Sequence, residues 1–106
     1  MKTNANFNLN SDKVSISFWI KTSQTVVSII TELSTNSNNY NSFYGAINNA
    51  IPNRVDVYDN VLGSINNLGS SSVNINDNIW HHIILMIDRS QTALNQNKIY
   101  VDGVLS

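Results

Sequence analysis

The stretch Ile79 to Asp88, IWHHIILMID, constrains the fold more than any other part of the chain. It is the longest apolar run, and its length, β-branched content and turn-forming flanks are those of a buried strand rather than a helix. With a period of two, Ile79, His81, Ile83, Leu85 and Ile87 point one way and Trp80, His82, Ile84 and Met86 the other. Both rows are largely apolar, which predicts a strand covered on both faces in the middle of a sandwich.

A chain of 106 residues holds one such core at most, so a single domain is expected. Charged residues make up only 12% of it, about half the usual share, and Asn and Ser supply the polar surface instead. The net charge of −1 is spread along the chain without a basic patch, which argues against nucleic acid and anionic membrane as partners. Without cysteine there is no disulfide framework, thiolate metal site or Cys nucleophile. The opening MKTNANFNLN has no apolar signal-peptide core, so the signal of an exported protein is expected upstream of this segment. No run approaches the roughly 20 apolar residues of a membrane span, and no Asn-x-Ser/Thr acceptor for glycosylation occurs.

Taken in order, Phe7 and Leu9 suggest a short edge strand, and Lys13 to Lys21, KVSISFWIK, alternates cleanly. Val14, Ile16, Phe18 and Ile20 share its inner face. Trp19 falls on the polar face with Ser15, Ser17 and Lys21, where it either packs under a neighbouring strand or offers a flat surface to a ligand. Val26 to Leu33 reads as a second strand. The polar loop Ser34 to Ser42 is centred on Tyr40. Phe43 to Ile47 and Arg54 to Tyr58 read as strands joined by a turn containing Pro52, and Asp59-Asn60 as the start of another turn. Val61 to Leu68 is a weak strand interrupted by Gly63. Asp88 to Asn97 is a polar loop with one helical turn near Ala93-Leu94, and Asp102-Gly103 marks a tight hairpin turn after Lys98 to Val101. Short strands broken by frequent turns spell an all-β antiparallel sandwich.

Three segments in this order, SISFWIK (Ser15 to Lys21), WHHIILMID (Trp80 to Asp88) and IYVDG (Ile99 to Gly103), resemble the laminin-G-like and pentraxin-like modules of the concanavalin A-like lectin/glucanase superfamily. The resemblance covers roughly residues 7 to 106. It implies an antiparallel jelly-roll β-sandwich of two sheets, with Trp19 at a position that is ordinarily aromatic. Members usually carry further strands after the Asp-Gly hairpin, so the resemblance also implies a domain truncated at its C-terminal end. Unpaired sheet edges and self-association through them are the expected consequence.

Chemistry-bearing residues narrow the function. His81 and His82 project to opposite faces and cannot grip one ion, so a structural role is expected, with His82 packed beside Trp80. Glycoside hydrolysis needs two carboxylates across a cleft. The glucanase branch carries them as alternating acidic residues on one strand, whereas this chain has a single glutamate, Glu32. No catalytic residue is assigned.

The resemblance implies calcium held by rim loops. The matching loop offers Asn36, Asn38 and Asn39 but no carboxylate, which leaves Asn36 and Asp59 as weak calcium candidates. Asp56, Asp59 and Asp77 read first as turn-formers or solvated strand residues, and Asp102-Gly103 as turn chemistry alone. Sugar binding asks only for a flat aromatic and neighbouring amides. Tyr40, Trp19 and Tyr44 supply the first, and Asn38 and Asn39 the second. The expectation is a non-catalytic carbohydrate-binding module of a larger extracellular or cell-surface protein, its partner a glycan or a surface protein. A protein-interaction or architectural sandwich without a sugar site is the alternative.

Overall fold

The computed structural model describes residues 13–33, 42–61, 64–88, 90–91 and 97–106. Eight strands form there: β1 (Lys13–Lys21), β2 (Ser28–Leu33), β3 (Ser42–Ile47), β4 (Val55–Val61), β5 (Ser64–Ser70), β6 (Trp80–Asp88), β7 (Asn97–Val101) and β8 (Val104–Leu105). They make two four-stranded antiparallel sheets, β1-β6-β7-β8 and β2-β3-β4-β5. The fold is the all-β sandwich that the strand pattern predicts.

Alternation along β1 and β6 decides how the first sheet lies. The register sets Val14 opposite Ile87, Ile16 opposite Leu85 and Phe18 opposite Ile83, so one face carries an unbroken apolar row from each strand. Ile83, Leu85 and Ile87 are fully or almost fully buried there, together with Ile99 and Val101 of β7. Phe43, Ile47, Val55 and Val57 answer them from the second sheet, and Ile75 fills the core from the segment before β6. Inner faces of two sheets meeting in this way bury the apolar rows that neither sheet can cover alone.

The other face of β6 is not covered as expected. Trp80 and Met86 are exposed and His82 and Ile84 half-buried, so β6 is the middle of a sheet with one open face. An antiparallel sheet tolerates this because its ladder satisfies the backbone whether or not a second layer lies above it.

Three strands depart most from the expectations. β2 begins at Ser28, and Val26 and Val27 are exposed in the connection before it. β4 runs through Asp59 and Asn60 to Val61, because pairing of Ser42 with Asn60 and of Val61 with Ser64 holds these residues extended. Ladder pairing on both sides overrides their turn preference. β5 occupies Ser64–Ser70. The expected edge strand at Phe7 and Leu9, the loop around Tyr40 and the helical turn near Ala93-Leu94 lie outside the described residues.

Side-chain bonds fasten the loops at the ends of the sandwich. Asn48 takes a positive φ of 59° and is buried. Its Nδ2 donates to the carbonyls of Gln24 and Val26, and its Oδ1 accepts from the Asn53 N–H. Asp56 is fully buried rather than solvated, with Oδ2 accepting from the Asn49 and Ala50 N–H groups and Oδ1 from the Ser70 hydroxyl. Asp102 and Gly103 take φ values of 53° and 83°, the left-handed pair that a two-residue hairpin turn requires.

Candidate functional site

Period-two alternation sends Trp19 of β1 away from the core, and the register sets it opposite His82 of β6. Lys21 is opposite Trp80 in the same register, so the two tryptophans are diagonal neighbours on one face. They are 64% and 62% exposed. Two indoles left mostly in water on adjacent strands give this face an exposed aromatic surface.

His82 supports this surface. Its ring lies 5.0 Å from that of Trp19, tilted by 31°, and its Nε2 is 2.8 Å from the Ser17 hydroxyl. His82 therefore packs on Trp19 rather than beside Trp80, because the cross-strand neighbour is nearer than the residue two positions along its own strand. Among the described residues no hydrogen bond is made to Nδ1 of His82. At the opposite end of the face, Lys13, Ser15, Met86, Asp88 and Lys98 border an open groove of about 520 Å³. There Lys13 pairs with Asp88 at 3.2 Å. Hydrogen bonding from Ser90 and then from Lys13 holds the Asp88 carboxyl below its usual range.

On the core side of β6, at the Trp80 end, lies a second polar cluster. His81 is 6% exposed, with Asp102 Oδ2 at 2.7 Å from its Nδ1 and Asp77 Oδ1 at 3.1 Å from its Nε2. Asp102 Oδ1 also accepts from the His82 N–H at 2.8 Å. Asp102 thus does more than shape its turn, since it ties the β7–β8 hairpin to β6. Burial pulls the His81 pKa down, but the hydrogen bonds and charges of Asp102 and Asp77 more than reverse this and leave it above the ordinary value. The His81 bond and the His82 N–H lower the Asp102 pKa. Asp77 is lowered first by the Ile79 N–H and then by His81. Each nitrogen of the His81 ring thus faces a carboxylate oxygen.

The sequence-derived candidates are dispersed. Tyr44 lies on the outer face of the second sheet, stacked on Tyr58 with centroids 4.9 Å apart, and is not brought together with Trp19. Burial and then the charge of Glu32 raise its pKa. Tyr40, Asn36, Asn38 and Asn39 lie outside the described residues. Asp59 is 5% exposed on β4, in register with Phe43. Among the described residues no group of three or more His, Asp or Glu side chains is arranged to hold an ion. Sequence reasoning put Trp80 on the same face as His82 but did not count it as a site residue. Its apolar neighbours Ile84 and Met86 made that face look like core.

Comparison with known proteins places this geometry. No curated protein matches the chain. A laminin G family model, described as concanavalin A-like lectin/glucanases superfamily, matches residues 1–106. The match spans the whole sequence, and the two antiparallel sheets are the architecture it requires. The chain belongs to the laminin G-like family of the concanavalin A-like lectin/glucanases superfamily.

Proposed function

We propose that this β-sandwich is a non-catalytic carbohydrate-recognition module of a larger extracellular or cell-surface protein, and that the glycan lies on the outer face of the β1-β6-β7-β8 sheet. The observation that carries the reading is the exposure of Trp19 and Trp80 as diagonal neighbours on that face. A pyranose presents C–H groups on one side that stack on an indole, and hydroxyls at its rim that need polar partners. Ser17, His82 and Lys21 surround the indoles with such groups.

A protein partner is the second reading. It is favoured by Val104 and Leu105 of β8, exposed at 68% and 58% on the same sheet. Exposed aliphatic residues suit a protein surface better than a hydrated sugar.

A glycan-array screen of the chain, with and without calcium, tests the proposal with Trp19→Ala and Trp80→Ala beside it. Binding that falls at least about tenfold, or about 1.4 kcal/mol, in either variant while circular dichroism stays unchanged supports the sugar site. Binding that is unaltered in both variants, or no binding under either condition, sinks it.

A further inference from the structure

A neutral imidazole has one N–H and one lone pair, so it donates to a single acceptor, and an ionised carboxylate has no hydrogen to give its other nitrogen. His81 nevertheless has a carboxylate oxygen against each nitrogen, Asp102 at Nδ1 and Asp77 at Nε2. Only the doubly protonated ring makes both bonds. We infer that His81 is a proton-controlled clamp at one end of the sandwich: protonated, it joins the turn before β6 to the β7–β8 turn, and on losing a proton it releases Asp77.

Geometry decides which side lets go. The Asp102 contact is the shorter, 2.7 Å against 3.1 Å. Asp102 is also fixed twice to the backbone of His82, its Oδ1 accepting from that N–H and its own N–H donating to that carbonyl. Asp77 is held otherwise by the N–H groups of Ile79 and of Asp77 itself, both within its own turn, so no bond besides that to His81 ties it to β6 or to the β7–β8 hairpin among the described residues. Nδ1 therefore keeps the remaining proton, and Nε2 is left as a lone pair facing a carboxylate, a contact that repels.

Among the described residues no other group competes for this role. β1 presents Ile20 opposite His81, and Ile83 follows His81 on the same face of β6. Among the described residues the charges that act on the ring are those of Asp102 and Asp77, while His82, on the other face, acts only on Asp102. The released turn runs through Asn78, whose N–H is bonded to the Thr22 carbonyl, and leads directly into Trp80. The clamp thus governs the entry to β6, and the inference stands whether or not the outer face takes a glycan.

The test follows the ring nitrogens of His81 by long-range proton–nitrogen correlation in the labelled chain, from about pH 5 to about pH 9. Both nitrogens should be protonated at the acid end. Above the midpoint the proton should remain on Nδ1, and the amide shifts of Asn78 and Ile79 should follow the same midpoint. Asp77→Asn keeps an oxygen for the Ile79 N–H but removes the charge, and should move the midpoint to lower pH. A ring that is neutral throughout, turn amides that ignore the titration, or a midpoint unmoved by Asp77→Asn overturns the clamp. The unsubstituted chain decides the matter alone if that variant does not fold.

Discussion

Gly45 of β3 and Leu85 of β6 face each other across the core so closely that a Cβ built on Gly45 would lie 2.5 Å from Leu85 Cδ1 and 3.2 Å from Thr31 Cγ2. The glycine is there for space, and the two sheets approach over the missing side chain. Gly45→Ala should therefore destabilise the fold by about 1–3 kcal/mol, the usual effect of overpacking a core. The obstructing atom is the end of a side chain, so Leu85→Ala in the same chain should recover part of that loss. Urea unfolding of the single and double variants measures the coupling, and strictly additive losses would show that the two residues do not compete for the same volume.

Asp56 carries a second prediction. Its carboxylate is fully buried and accepts from two N–H groups of the loop after β3 and from the Ser70 hydroxyl. Asp56→Ala removes these acceptors at once and should cost roughly 2–4 kcal/mol, since hydrogen bonds to a charged group are among the stronger ones. Asp56→Asn should cost less, because one amide oxygen still serves the loop. Equal losses in chemical unfolding would mean that the charge, and not the acceptor geometry, is what the loop requires.

How much of this was readable in the chain depends on what each residue's role rests on. The inward placement of Val14, Ile16, Phe18 and Ile20 is local, set by alternation alone, and the Asp102-Gly103 turn follows from two residues that accept positive φ. The open face of β6 is not local. Alternation assigns Trp80, His82, Ile84 and Met86 to one side, but whether a second layer covers that side depends on the packing of the whole domain. The bonds of His81 come from partners 4 and 21 residues away, a juxtaposition that only the hairpin creates. Trp19 was visible as the aromatic member of a polar row, whereas its pairing with Trp80 needed the β1–β6 register.

Acid and base should act on the fold in opposite senses. Asp77, Asp88 and Asp102 are all held below the ordinary carboxylate value of 3.8, so their contribution is present above that pH and is lost as pH falls through their lowered values. His81 is held above 6.5, so its contribution is complete below 6.5 and is lost as pH rises through the raised value. Thermal stability should be greatest between these limits. The carboxylates of Asp77 and Asp102 are about half exposed and that of Asp88 partly so, and solvent keeps their share small. His81→Gln should flatten the alkaline side of the profile and leave the acid side sloping through Asp88. A variant profile that runs parallel to the unsubstituted one above pH 6.5 would remove His81 as the cause.

The last prediction concerns Asn48, where backbone and side chain make separate demands. The positive φ favours Asn, Asp or Gly, while the side chain must donate to the carbonyls of Gln24 and Val26 and accept from Asn53. Gly meets the first demand alone, so Asn48→Gly should lose about 1–3 kcal/mol from groups left unsatisfied. Asp fits the backbone and keeps the acceptor for Asn53, but it turns a carboxylate towards two carbonyl oxygens. Asn48→Asp should therefore be the more damaging change at neutral pH, and its deficit should shrink in mild acid, where a protonated carboxyl can donate to one of the carbonyls. Melting temperatures of the two variants at both pH values separate the cases. If Asn48→Asp matches Asn48→Gly at neutral pH, the bonds to the β1–β2 connection contribute little, and the positive φ is the reason for an asparagine at this position.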